Sequence, residues 1–391
     1  MAKQLRRCCL SSLLFLAALV SCSDDPNILN ALDTKFTDVD IEVIVDTLES
    51  LSGTSFRQYV PMNGVYNMLG LSDGIEARMA MQFTSGFVQR DTMEVVSAVL
   101  RLRAATRFGD STGTLSFNAY KILRAWSSVT LTWDSLSASG FYEDGVMRGT
   151  YSGPVNADTG YVSFDLDTAL VREWLQPSTF TSYGLVLLPN TSSTVAQGFI
   201  AFGTDSIQYV PTLTVIARNN AGTFTDTTVY NIGNDTFLGN VDNLITDPGR
   251  IYVQAGVVYR STLLFDASPV PEGAIVNKAD LLLQLDPTAS KVSKLSGDTL
   301  QAVHVRTSLT DTTKFESVGA VGKPGASGLV LYEIRHGVQL WVNGINNGLL
   351  IRASSLNEFS QLDQYVFYGP AESNPALRPK VLVTYTVERR R

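Results

Sequence analysis

The sequence predicts an all-β protein of two tandem β-sandwich, jelly-roll-like domains behind a lipoprotein-type signal peptide. Three observations carry this. From about residue 40, short alternating or continuously apolar runs recur between clusters of Gly, Asn, Asp, Ser and Pro, the pattern of strands and turns. The 391 residues exceed one ordinary domain of about 100–200 residues. The second half of the chain also repeats the first, in order.

The N-terminus reads as an address. Lys3, Arg6 and Arg7 precede the apolar run Leu10–Val20, and the small Ser21 stands just before Cys22. The run is shorter than the roughly 20 residues that span a bilayer. Leu19-Val20-Ser21-Cys22 resembles the bacterial lipobox, which implies cleavage after Ser21, acylation of Cys22 and a lipid anchor in the outer membrane, on its periplasmic side or at the cell surface. Residues 1–21 are then the signal peptide and 22–39 a tether. Removal of Lys3, Arg6 and Arg7 takes the formal charge from −7 to −10. Cys8 and Cys9 leave as well, so no disulfide can form within the mature chain and its stability must come from cores.

The strands follow. Ile41–Val45, Ala77–Phe83, Val95–Arg103, Thr114–Ile122, Tyr161–Leu166, Gly184–Leu188, Phe199–Phe202 and Leu213–Ile216 are the clearest in the first half. Val96, Ala98, Leu100 and Leu102 alternate with Ser97, Val99, Arg101 and Arg103, a strand with one wetter face. Leu166, Leu170, Val171 and Trp174 fall at helical spacing, one or two turns covering an end of the sandwich. Arg78–Phe83 matches Arg260–Phe265, 182 positions later. Ala98–Leu102 matches Ala279–Leu283, Tyr161–Leu166 matches Leu329–Ile334, Trp174 matches Trp341, and Gly184–Leu187 matches Gly348–Ile351. Both copies close on a strand led by Pro211 or Pro379. The expected domains are 40–217 and 224–388, joined by a polar linker at 218–223, with Glu388–Arg391 a solvated tail.

Composition excludes several functions. With two His and no Cys beyond position 22, a Cys/His zinc site and a histidine-dependent triad are not expected, and no metal or cofactor is assigned. An excess of acids, 37 against 30 basic residues, argues against a nucleic-acid partner. No Gly-rich phosphate loop, G-x-S-x-G elbow or calcium loop appears, so no enzymatic activity is expected.

Ala98–Leu102, then Trp126-Ser127-Ser128-Val129-Thr130-Leu131-Thr132-Trp133, then Phe164–Thr168 leading to Trp174, then Tyr183-Gly184-Leu185 and the Pro-led last strand, together resemble the DNRLRE family. This is a β-sandwich module also classed with carbohydrate-binding modules of the disaggregatase-related type. The resemblance covers most of 75–217, and W-S-x-x-T-x-T-W is its most specific part. It implies a noncatalytic module of a secreted or surface protein, with acidic polysaccharides bound by some members. The second copy departs from it, since residues 307–318 contain no Trp.

Two candidate surfaces follow. The stretch from Ser137 to Tyr161 reads as a long loop carrying Phe141, Tyr142, Arg148 and Tyr151, either a glycan-binding surface or an insertion whose aromatics tuck back. Arg101 and Arg103, with Arg107 nearby, could grip carboxylates of an acidic polysaccharide, or form an ordinary wet face paired with acids. Trp126 and Trp133 read as core or sandwich-end residues, and Trp174 and Trp341 as core plugs. The functions left open are polysaccharide binding, a structural or adhesive role contacting other proteins, and, least favoured by these residues, a carbohydrate-active enzyme.

Overall fold

A computed structural model describes residues 39–390, apart from 59, 63, 84–91, 155–159, 177–181, 205–206, 242–246, 248, 294–299, 306–307, 309–310, 312–314 and 323–327. The signal peptide, Cys22 and the tether before Val39 lie outside the described residues.

The described chain forms two antiparallel β-sandwiches. The first contains β2 (Tyr66–Ser72), β3 (Ile75–Phe83), β4 (Met93–Gly109), β5 (Thr114–Lys121), β6 (Gly149–Pro154), β7 (Tyr161–Asp165), β8 (Leu185–Pro189), β9 (Val195–Ile200), β10 (Thr212–Asn219) and β11 (Thr225–Val241). The second contains β1 (Val39–Arg57) with β12 (Arg250–Gln254), β13 (Tyr259–Phe265), β14 (Ile275–Gln284), β15 (Leu300–Val305), β16 (Phe315–Gly322), β17 (Leu329–Glu333), β18 (Leu349–Ala353), β19 (Gln364–Tyr368) and β20 (Lys380–Arg390).

Each sandwich has a four-stranded layer. Its order is β11–β10–β4–β7 in the first and β1–β20–β14–β17 in the second. The larger layer facing it is built on β3 or β13. The long strands β1 and β11 belong to both layers. β1 pairs with β20 along Val39–Glu49 and then with β13 along Ser50–Arg57; β11 passes likewise from β10 to β3, with a register break at Ile232/Asn234.

These pairings correct the expected boundaries. β1, the first described strand, completes the second sandwich, and β11, which opens the second repeat, completes the first. Residues 218–223 are not an interdomain linker but the turn of the β10–β11 hairpin, where Arg218 pairs with Thr225. Asn219 closes that turn, its side chain accepting from the N–H groups of Thr223 and Phe224. Glu388–Arg390 is not a tail either, because β20 runs to Arg390, which pairs with Val39.

Inside, the repeat is preserved. Alternate residues of β4 (Ala98, Leu100, Leu102 and Ala104) and of β14 (Ala279, Leu281 and Leu283) are buried in the two cores. The alternation slips at one place. A bulge opposite Ile216/Ala217 turns Val95 inward and leaves Val96 48% exposed. Helix α2 (Thr168–Leu175; α1 is given below) is N-capped by Asp167, which accepts from the N–H of Ala169. Helix α3 (Arg335–Val342) occupies the matching place. Trp174 lies 5.6 Å from Phe83, and Trp341 lies 5.7 Å from Phe265, so both tryptophans plug their cores against the same repeated Phe. Gly184 and Gly348 both take positive φ, 85° and 73°. A Cβ on Gly184 would stand 1.9 Å from the Met81 carbonyl oxygen, so no other residue fits there.

The sandwiches share an apolar contact. Met68, Ile75, Phe108 and Phe237 of the first pack with Val257, Tyr259 and Leu362 of the second. Hydrogen bonds from Val65 N–H to Ser360 and from Ser293 Oγ to the Arg107 carbonyl cross the same contact.

Candidate functional site

Between β7 and the short helix η1 (Ile207–Tyr209), the outer face of the first four-stranded layer gathers cations and rings. Strand register sets Arg101 directly between Thr212 of β10 and Ser163 of β7, and sets Arg103 opposite Tyr161. The Arg101 guanidinium lies 3.5 Å from the centre of the Tyr161 ring. Arg103 lies 4.8 Å from the same ring and 5.0 Å from that of Tyr209. Arg101 is exposed and Arg103 half-buried. Neither pairs with a carboxylate among the described residues, so the expected wet face balanced by acids is not what forms.

A guanidinium stacked on a ring keeps its N–H edges in the plane, free to donate to an incoming oxyanion. Stacking of this kind contributes about 0.5–1 kcal/mol at an exposed site and fixes the fork in place. Strand alternation made the arginines visible in the sequence. Tyr161 reaches them through β4–β7 pairing and Tyr209 through the turn before β10, which local patterning does not reveal. Arg107 does not join them. Beyond the register break at Ala104/Thr106, β4 moves to pair with β9, and Arg107 lines a separate cleft of about 630 Å³ with Asp73, Asp110 and Lys291.

The expected loop 137–161 is different in kind. Its second half is strand β6, paired with β5 at the layer's edge. Its first half folds over the outer face of β3 and β8. Phe141 is 3% exposed and packs with Ala80, Ile122, Leu136 and Val186, so it is not available as a platform. Tyr142 is half-buried beside Tyr120, and burial pushes its phenol above the ordinary value. Arg148 is held by Glu143 and Asp167, each at 2.6 Å. Tyr151 stacks on Phe117 at 5.5 Å. The outcome is the tucked-back alternative for Phe141 and Tyr142.

Arg148 and Tyr151 do line an open groove of about 620 Å³ between edge strands β6 and β7, with Ser163, Asp165 and Asp167. Through Ser163 that groove adjoins Arg101. Asp167 is committed there, one oxygen capping α2 and the other accepting from Arg148.

The W-S-x-x-T-x-T-W element is a turn leading into a one-turn helix, α1 (Trp133–Ser137), rather than a strand. Thr132 caps α1 and exchanges hydrogen bonds with Ser135, a capping box. Trp126 donates to the Tyr183 carbonyl at 2.8 Å, and Trp133 lies under Arg78 at 4.1 Å. Both are half-buried against the cluster that contains Phe141. The element therefore seals the outer face of β8.

No family model matches the chain, and no curated protein matches it. Among solved structures it is similar to one described as "The 2.6A structure of Infectious Bursal Virus Derived T=1 Particles", at 13% identity over 89% of this chain and 74% of that chain. The TM-score is 0.14, and so poor a superposition supports no statement about fold or function.

Proposed function

We propose that this is a noncatalytic bacterial envelope lipoprotein, anchored in the outer membrane through Cys22, that binds an acidic polysaccharide on the outer face of the first sandwich. The resemblance of 75–217 to the DNRLRE family supports the reading. The observation that carries it is the pair Arg101 and Arg103, set over the rings of Tyr161 and Tyr209 with no carboxylate partner among the described residues. A sheet face with two ring-supported guanidinium forks suits carboxylates repeated along a polymer, with ring faces beside them for sugar C–H groups. The open groove of Arg148 and Tyr151 extends the surface at one side.

The test is affinity electrophoresis of the soluble chain from Ser23 onward in uronate polymers and in neutral glucans. Retardation is expected in the uronates, weakening with salt. Arg101→Gln with Arg103→Gln should weaken it at least about tenfold, since each charge-assisted pair contributes about 1.5–3 kcal/mol. Equal retardation in neutral glucans, or binding unchanged in the double variant, would overturn the assignment.

A structural or adhesive role is the second reading, and one observation favours it. The outer face of the other four-stranded layer exposes Ile41, Val43, Val45, Ile275, Leu331 and Leu382 among charges of both signs.

A further inference from the structure

On β1, Ile41, Val43 and Val45 point outward and are 61%, 63% and 71% exposed. Ile275, Leu331 and Leu382 share the face, at 61%, 53% and 39%. Register joins them through threonines, with Val45 beside Thr384, Val43 beside Thr386, and Ile275 on the far side of Thr386. The matching edge strand of the first sandwich offers Thr225, Thr227 and Val229 instead. Together the six aliphatic residues expose roughly 600 Å², densest along β1 and β20 and interrupted toward β17 by Asp280 and Glu333.

We propose that this face packs against the same face of a second copy of the chain, giving a two-fold symmetric dimer. With its threonines and rim, the patch approaches the roughly 800 Å² per partner that stable interfaces bury. Its charges suit self-association as well. Glu388 and Lys380 lie on the outer side of β20, on either side of Thr384. A two-fold axis crossing the strand at Thr384 sets Glu388 of each copy against Lys380 of the other. Lys278, in the same row as Thr384, pairs with Asp280 of its own copy at 2.6 Å, and Glu333 lies beside Asp280 toward the β17 edge.

The face, rather than the edge of β1, is the contact. Alternating with the aliphatics, Glu42 and Asp46 turn toward the sandwich interior, where with burial they push the Tyr385 phenol up. Two copies joined edge to edge would bring these carboxylates together, and inward charges on an edge strand are a recognised guard against such pairing.

The chain from Ser23 onward contains no cysteine, which makes a clean test possible. Sedimentation velocity up to about 100 µM should show a dimer, and Val45→Lys should weaken it at least about tenfold with an unchanged melting curve. Val229→Lys, at the edge of the first sandwich, should leave it intact. Thr384→Cys should form a disulfide between copies under mild oxidation, because the axis brings the two positions together. A monomer throughout that range would overturn the proposal. So would a dimer indifferent to Val45→Lys, or one whose copies do not crosslink at position 384.

Discussion

The two sandwiches keep the same interior and differ wherever the chain meets something else. Phe83 and Phe265 carry the same tryptophan contact, and Gly184 and Gly348 the same left-handed turn. At other matched positions the chemistry parts. Arg78 lies near the surface between Glu76 and Trp133, whereas Arg260 is buried, forked onto Glu358. Asp235 is buried on β11 where β1 has Gly53. One outer face carries arginines over tyrosines and the other aliphatics. A duplicated core tolerates little change because it is close-packed, while faces and junctions diverge freely. New binding properties are therefore to be sought in the differences between the copies.

The largest effect should come from the exchanged strand. A chain starting at residue 58 lacks the strand between β13 and β20, so the second sandwich should lose its cooperative melting transition, and a peptide spanning 39–57 should restore it. A truncated chain that melts like the whole would break the comparison at its root.

Next comes the matched pair of arginines. Arg260→Met removes the fork from the Glu358 carboxylate, which is 0% exposed and keeps only Arg352 at 3.6 Å, and should cost about 3 kcal/mol in denaturant unfolding. Arg78→Met should cost about 1 kcal/mol or less, since that pair is partly solvated. Equal costs would mean that the two sites are not energetically distinct.

The smallest effect concerns pH. Burial raises the Asp235 carboxyl from 3.8 to about 6, against the N–H of Phe202 that it accepts. Folded protein then holds a proton that unfolded protein releases, so stability falls as pH rises from about 4 to about 6 and levels off above. The change should be about 2–3 kcal/mol. Asp235→Asn should remove that slope from urea midpoints measured between pH 4 and 7. A slope that persists would assign it elsewhere.

Strand positions and α2 were legible in the sequence because each rests on neighbours a few residues apart, and the repeat because its matched segments keep their order. The exchange of β1 and β11 was not, because periodicity shows which residues face inward but not which strand lies alongside. Asn219-Asn220-Ala221-Gly222 is turn chemistry that fits a hairpin as well as a linker. The burial of Phe141 had a visible sign. Leu185-Val186-Leu187-Leu188 is continuously apolar, which marks a strand covered on both faces, and the aromatics of 126–142 are that cover. The arginine face was half legible, in the alternation of β4 but not in the rings brought to it.

The pairing of Val39 with Arg390 also sets an order in time. A chain made from its N-terminus completes the first sandwich once β11 has emerged. β1, the first of the described strands to be made, must then wait for β13 and finally for β20. Throughout that interval it is an unpaired strand with aliphatics along one side, and Glu42 and Asp46 on its other side make it a poor match for the wrong neighbour. The last of the described strands to be made is the one that closes the second sandwich.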